Sequence, residues 1–366
     1  MNAGLSFGVE EEFLVTDERG DAVRSAADVG ESEAASVGFT GTYSRELHSA
    51  QIEAASGVHC DAHHLRADLV AGRNGLATTL TPHRVVPIGW APCGDVDTAP
   101  PAHPRHRRIH EKFGAVTLAY TACGCHVHVG VPDRDTAVAV LAFLRPWLPS
   151  LVALGGNSPF RNGSDTGYDS WRIVEQSRFP TSGAPPRFAN AAEYDACVAR
   201  LVDCGALVDD TMSAWLARLS PRFPTVEVRA ADAGLTVEDA VFQAVVTRGL
   251  VRSALAELAR GVEAPAVDDR VLASAVWHAA RHGLRGPAVD VLQETLVPGH
   301  ELAARLIAAI TDRLDETGDR VFVAERFTEL RRAGTGADRL RATGSRAVVQ
   351  KFALPDLGRE ILTEST

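Results

Sequence analysis

Alternation of apolar and polar residues is the first pattern along the chain. Leu5–Val15 (LSFGVEEEFLV) interleaves apolar and acidic positions, the period-two signature of a strand. Asp17–Gly20 follows as a turn, and residues 25–42, rich in Ala, Ser, Gly and Glu, read as loop. Glu46–Ala55, Arg84–Trp90, Ala122–Val131, Ser213–Leu219 and Thr225–Ala231 read as further strands. Helical spacing marks Asp61–Leu80, through Leu65, Leu69 and Leu76, and Ala191–Leu207. Asp133–Leu154 reads as a helix opened by an Asp cap and interrupted at Pro146 and Pro149. The proline-rich, basic stretch Asp95–Arg108 reads as an exposed loop, and 157–186 as a long functional one. From Thr236 onward the pattern is helical, at 236–260, 268–282, 299–315 and 319–333. No clear linker interrupts it. The expected organisation is one composite α+β domain over 1–366, sheet-rich to 235 and mostly helical from 236.

Four of the strands carry polar pairs at i and i+2. These are Glu10 with Glu12, Gln51 with Glu53, His126 with His128, and Glu227 with Arg229. Residues two apart on a strand share a face, so each pair projects together. Any one pair alone is ordinarily a solvated face or a surface ion pair. Four on separate strands of one sheet need a reason, because unpaired buried charge is costly. A water-filled site whose carboxylates hold hard cations supplies it, with Mg²⁺ bridging carboxylates to phosphate and arginine contacting the remaining oxygens.

Composition narrows the chemistry. The chain has 366 residues, 47 acidic and 37 basic, for a formal net charge of −10. Only Lys112 and Lys351 are lysines. No glycine-rich loop ends in Gly-Lys-Ser/Thr, so a Walker-type phosphate site is absent, and neither lysine sits in a Schiff-base context. The acidic balance argues against nucleic acid as a partner. The N-terminal segment has no signal-peptide character, and no run of about 18 uninterrupted apolar residues would span a membrane. A cytoplasmic location with reduced cysteines is therefore expected. The cluster Cys123-Gly-Cys125-His126-Val-His128 invites a zinc reading. Alternation puts its cysteines and histidines on opposite faces, so one tetrahedral site cannot collect them.

GVEEEFLV (8–15), ELHSAQIEAAS (46–56), the segment from Gly124 to Leu154, NSPFRNGSDTGYDSWR (157–172) and PTVEVRAADAGLTVEDA (224–240) together resemble the carboxylate-amine ligase family, also called glutamate–cysteine ligase type 2. The resemblance runs from about Leu5 to Arg252 and weakens beyond. It implies a glutamine synthetase-like catalytic core: an antiparallel, saddle-shaped sheet flanked by helices, with a helical C-terminal third. It implies ATP and Mg²⁺ (or Mn²⁺) as cofactors, and an ATP-dependent ligase that makes an amide through an acyl phosphate. Typically this joins the γ-carboxyl of glutamate to cysteine or another amine. By matching position, Glu10, Glu12, Glu46, Glu53, His126 and Glu227 would hold metal, and His128, Arg218 and Arg222 would meet the nucleotide. Arg229, with Glu53 and His126, would face the transferred phosphoryl group, while Asn157 and Arg172 would bind the amino-acid substrate. The resemblance leaves a homodimer open.

Several positions depart from the family pattern. Leu216 follows Trp215, Ala275-Val276 precedes Trp277, Leu340 stands where Gln is common, and Gly155-Gly156 precedes Asn157. They leave the amine acceptor open. Glu46 and Glu53 have opposite parity, so a turn between them is required if both are ligands. The alternatives are a phosphotransferase of the guanidino-kinase kind on a related sheet, and a non-catalytic protein that kept the fold.

Overall fold

The computed structural model describes residues 5–23, 38–93 and 103–355. Most of the loops expected at 25–42 and 95–108 lie outside them. The strands are β1 (Phe7–Thr16), β2 (Thr42–Arg45), β3 (Gln51–Ala55), β4 (Arg84–Val86), β5 (Gly124–Gly130), β6 (Phe160–Arg161), β7 (Ser164–Asp165), β8 (Ala217–Leu219), β9 (Thr225–Asp232), β10 (Pro287–Asp290) and β11 (Thr295–Pro298). The main sheet runs β2-β3-β1-β5-β9-β8, with β4 also pairing β1, and its ladders are antiparallel.

One face of the sheet is apolar. Phe7, Val9 and Phe13 of β1, Ile52 of β3, Cys125, Val127 and Val129 of β5, and Val226 and Val228 of β9 are all buried there. Helices α1 (Ala62–Thr79), α4 (Arg134–Leu144), α5 (Leu148–Gly155) and α8 (Val237–Ala259) cover this side. Asp61 caps α1 and Asp133 caps α4, each accepting a backbone N–H three residues on. Pro146 and Pro149 break the apolar run 134–155 into two helices around a short 3₁₀ turn. That run has the length and composition of a membrane span, yet it is largely buried inside the protein. α8 is buried almost all round from Ala240 to Val251. It opens with a reciprocal cap between Thr236 and Asp239.

Residues 103–108 correct an expectation. They enter a helix, α2 (Pro104–Phe113), with Pro104 in its first turn, where a missing N–H costs nothing. The short α3 (Ala115–Leu118) leads on to β5. Glu46–Ala50 is a turn instead of strand, because Ala50 N–H bonds His48 Nδ1 and His48 N–H bonds Gln51 Oε1. β4 stops before Pro87, which cannot donate to a ladder. The stretch 157–186 holds the β6–β7 hairpin and α6 (Trp171–Gln176), and is followed by α7 (Ala191–Asp203).

The C-terminal third contains α9 (Asp269–His282), α10 (Gly299–Ala309), α11 (Thr311–Thr317), α12 (Arg320–Ala333), α13 (Gly336–Thr343) and α14 (Val348–Phe352). Its β10–β11 hairpin was not signalled by the pattern; Asp290 Oδ1 holds its turn through the N–H groups of Leu292 and Gln293. The expected helix 299–315 divides at fully buried Ile310.

Candidate active site

The opposite face of the sheet carries the polar pairs, and register brings them together. In β1, Glu10 lies across from His126 of β5 and Glu12 across from Glu53 of β3. In β5, His128 lies across from Glu227 of β9, which lies across from Arg218 of β8. Glu46 reaches the same place from the β2–β3 turn, which resolves its parity against Glu53. Three triads have ligand atoms within 4.8 Å of one another: Glu10–Glu53–His126, Glu10–His128–Glu227 and Glu12–Glu46–Glu53. Glu10 and Glu53 each belong to two of them.

Electrostatics differs from one end of this array to the other. At the β9 end Glu227 is buried and is gripped by Arg218 through two hydrogen bonds of 2.8 and 3.1 Å, and by Arg229. Burial works against its charge, but the two guanidiniums outweigh it and hold the carboxyl far below the usual range. Glu10 is likewise pushed down despite burial, by His126 and His128, whose nearest ring nitrogens are 3.4 and 3.1 Å away. At the β3 end the cations run out. Burial first, and then the charge of Glu12, push Glu46 up to about 8. Burial and the charges of Glu10, Glu46 and Glu12 raise Glu53 well above its ordinary value, and Ser44 donates to it at 2.8 Å.

This donor set fits hard cations. Four carboxylates crowd together without enough arginine to neutralise them, and the Nε2 atom of His126 is buried with no hydrogen-bond partner. Burial and then Arg229, whose Nη1 is 3.2 Å from its Nδ1, push the His126 imidazole's pKa down. His128 Nδ1 is fixed by Thr225 Oγ1 at 2.9 Å, which aims its other nitrogen at Glu10.

The arginines divide by role. Arg229 lies half-buried between Glu227 and His126, with its guanidinium on the site face. Arg218 spends its donors on Glu227 and on the carbonyls of Thr211 and Ser213, so it positions Glu227 and has little left for phosphate. Arg222 stands exposed on the β8–β9 turn. Arg172 is 2% exposed, donates from Nη2 to the Arg229 carbonyl at 3.1 Å, and keeps Nη1 buried without a partner.

Asn157 sits beside the sheet, apart from the carboxylate array. Its side chain donates to the carbonyls of Pro87 and Ala233 at 2.9 and 2.7 Å, so it braces the scaffold and does not enter the cluster. The long loop expected at 157–186 is likewise built into the body. Ala214 N–H bonds Thr181 Oγ1, Leu216 N–H bonds the Gly183 carbonyl, and Arg145 donates to the Pro185 carbonyl. The two cysteines part company: Cys125 packs into the core behind the sheet, as alternation predicts, while Cys123 is buried beside Leu14 and accepts from Gln51 Nε2.

The pattern missed Asp232. It accepts from Asn157 N–H, Ser158 Oγ and Ser170 Oγ at 2.8, 2.7 and 2.7 Å, and faces Arg172 Nη1 at 3.8 Å. Strict alternation from Arg229 assigns it to the core face. A bulge, in which Cys125–Val127 of β5 spans Val228–Ala231 of β9, turns it back toward the site. Tyr120 was missed as well. It packs edge-on against Trp90 and Phe179, and its phenol is pushed up by burial within electrostatic reach of Arg172, Glu12 and Arg229. Glu11, between the two site carboxylates, faces backward into a buried two-point pair with Arg73 of α1.

The family model described as glutamate-cysteine ligase family 2 matches residues 6–359. The chain belongs to glutamate-cysteine ligase family 2. Membership makes it an ATP-dependent carbon–nitrogen ligase. A Saccharopolyspora erythraea protein named "Putative glutamate--cysteine ligase 2-2" is 47% identical over 363 residues, covering 96% of this chain and 93% of that protein. A Nocardia farcinica protein named "Putative glutamate--cysteine ligase 2-1" is 41% identical over 341 residues, covering 92% and 88%. Among solved structures, the glutamate–cysteine ligase of Francisella tularensis in complex with AMP superposes with a TM-score of 0.72 at 13% identity, covering 100% of this chain and 94% of that one. A bifunctional glutathione synthetase from Pasteurella multocida gives 0.64 at 14%, covering 98% of this chain and 52% of that one. The fold is the glutamine synthetase-like α+β arrangement that the sequence motifs imply.

Proposed function

We infer that this ligase joins the γ-carboxyl of glutamate to an amine through an acyl phosphate. The observation that carries the reading is the array of three overlapping triads with Arg229 and Arg172 beside it. In the first step a carboxylate oxygen attacks the γ-phosphorus of ATP and ADP departs. In the second the amine nitrogen attacks the acyl carbon, the carbon–oxygen bond to phosphate breaks, and the nitrogen loses a proton.

Phosphoryl transfer depends mainly on positioning and on neutralising the equatorial oxygens. Glu10, Glu12, Glu46, Glu53, His126, His128 and Glu227 would hold two or three Mg²⁺ ions, which supply that neutralisation when bound. Arg229, held between Glu227 and His126, is oriented toward the transferred group without further rearrangement. Arg172 offers its unpartnered Nη1 to a substrate carboxylate, with Asp232 behind it. Arg222, on the exposed turn, is free to follow the nucleotide.

The test is ATP, Mg²⁺ and glutamate with a panel of amines, reading ADP, free phosphate and product mass. Equal amounts of ADP, phosphate and amide, formed only with both substrates present, support the reading. ADP formed without amine, together with a stable phosphorylated product, would assign a phosphotransferase instead. Replacing glutamate by other acids in the same assay identifies the donor.

A further inference from the structure

Of the two large aromatic residues exposed among the described residues, Phe223 and Trp277, only Phe223 touches the cation array. It is 54% exposed, and its ring stands edge-on to His128, with centroids 5.8 Å apart and planes at 87°. The turn that presents it is rigid. Pro221 and Pro224 flank Arg222-Phe223, Ser220 Oγ accepts from the N–H groups of Arg222 and Phe223, and Thr225 N–H closes on the Phe223 carbonyl at 2.8 Å. Val131 N–H bonds the Pro224 carbonyl and ties the turn to the end of β5.

The array has a direction. Along the strands, Arg172 lies at the Gly124–Asp232 end of the β5–β9 ladder, where Gly124 N–H also bonds Glu12 Oε2, and the Glu10–His128–Glu227 triad lies toward the opposite end. A carboxylate held at Arg172 and a nucleotide reaching it through its γ-phosphate would put the base beyond His128. An apolar ring open to solvent at that point, next to the cation of Arg222, matches a flat aromatic group attached to phosphates.

Building on the ATP-ligase reading, we propose that Phe223 is the platform on which the adenine ring of ATP stacks. The ring contributes to nucleobase affinity and takes no part in holding the phosphates, which remain with the carboxylates and His128.

The test is binding of ADP and of inorganic tripolyphosphate, each with Mg²⁺, by calorimetry to the wild-type chain and to Phe223→Ala and Phe223→Trp. The expected result is a roughly tenfold loss of ADP affinity in Phe223→Ala, unchanged tripolyphosphate affinity, and recovery in Phe223→Trp. Equal ADP affinity in wild type and Phe223→Ala would overturn the assignment. So would an equal loss for ADP and tripolyphosphate, which would mean that the ring props His128. A wild-type chain that binds no ADP would instead overturn the ATP-ligase reading itself, and the platform with it.

Discussion

Gly124 is the point at which the site is most sensitive to a single added carbon. A Cβ at this position would lie 2.5 Å from Arg172 Nη2, 2.7 Å from His126 Nε2 and 3.0 Å from Arg172 Cζ. Ordinary contact begins at 3.4 Å, so Gly124→Ala forces an opening of about 0.9 Å. Neither neighbour can swing aside. Arg172 is 2% exposed, tied to the Arg229 carbonyl and backed by Asp232, and His126 is packed among Glu10, Glu12 and Arg229. Overpacking of this size costs about 1–3 kcal/mol of stability, which a folded chain of this length tolerates. A displacement near 1 Å of groups that meet reacting atoms costs about 10²-fold in rate. Gly124→Ala is therefore expected to lower kcat/KM for the carboxylate substrate by about 10²-fold. ADP affinity, set at the far end of the array, should change by less than about threefold. Steady-state ADP release with the acid varied, ADP calorimetry and thermal melting together check this. A folded variant that keeps wild-type kcat/KM for the acid would show that Arg172 and His126 do not meet reacting atoms.

Three further outcomes follow from the same geometry. Glu53→Gln removes one of the crowded carboxylates, so with chelator present its melting temperature should rise by about 2 °C, while the gain on adding Mg²⁺ shrinks; a lower melting temperature in chelator would refute the crowding. Asp232→Asn removes the charge behind Arg172 and should raise KM for the acid about tenfold, with KM for ATP unchanged; parallel changes in both would indicate a purely structural role. Asp239 accepts from Arg326 and Arg339, which outweigh burial and hold its carboxyl below the usual range. Its contribution is full above the unfolded carboxylate pKa near 4 and is lost as pH falls through the lower folded value. Asp239→Asn should therefore cost about 3 kcal/mol at pH 7, and urea unfolding should show the difference from wild type closing below about pH 4. A constant difference down to pH 3 would refute the pairing.

Strands β1, β3, β5 and β9 were legible because their apolar residues alternate with polar ones, and the polar set lines the candidate site. Register was not legible, since nothing local in Glu10 states that it will oppose His126. Asp232 was hidden by a bulge, which is a relation between two strands and leaves no mark in either alone. Arg218 and Asn157 were picked out by their blocks, but their contacts were not. The type of side chain does not reveal whether its donors are spent on Glu227, Pro87 and Ala233, or kept for a ligand. The β10–β11 hairpin lacked alternation because only part of it is buried.

The run Glu10-Glu11-Glu12 has a consequence for how the protein assembles. A strand that slips by one residue exchanges its two faces. Three identical side chains in a row would let a slipped β1 still offer a carboxylate to the candidate site, so the acidic run alone cannot proofread its own placement. The discrimination comes from behind the sheet, where Phe7, Val9 and Phe13 fill the core and Arg73 accepts only the glutamate that arrives at its guanidinium. A buried arginine on α1 thereby selects which two glutamates of the three face the candidate site.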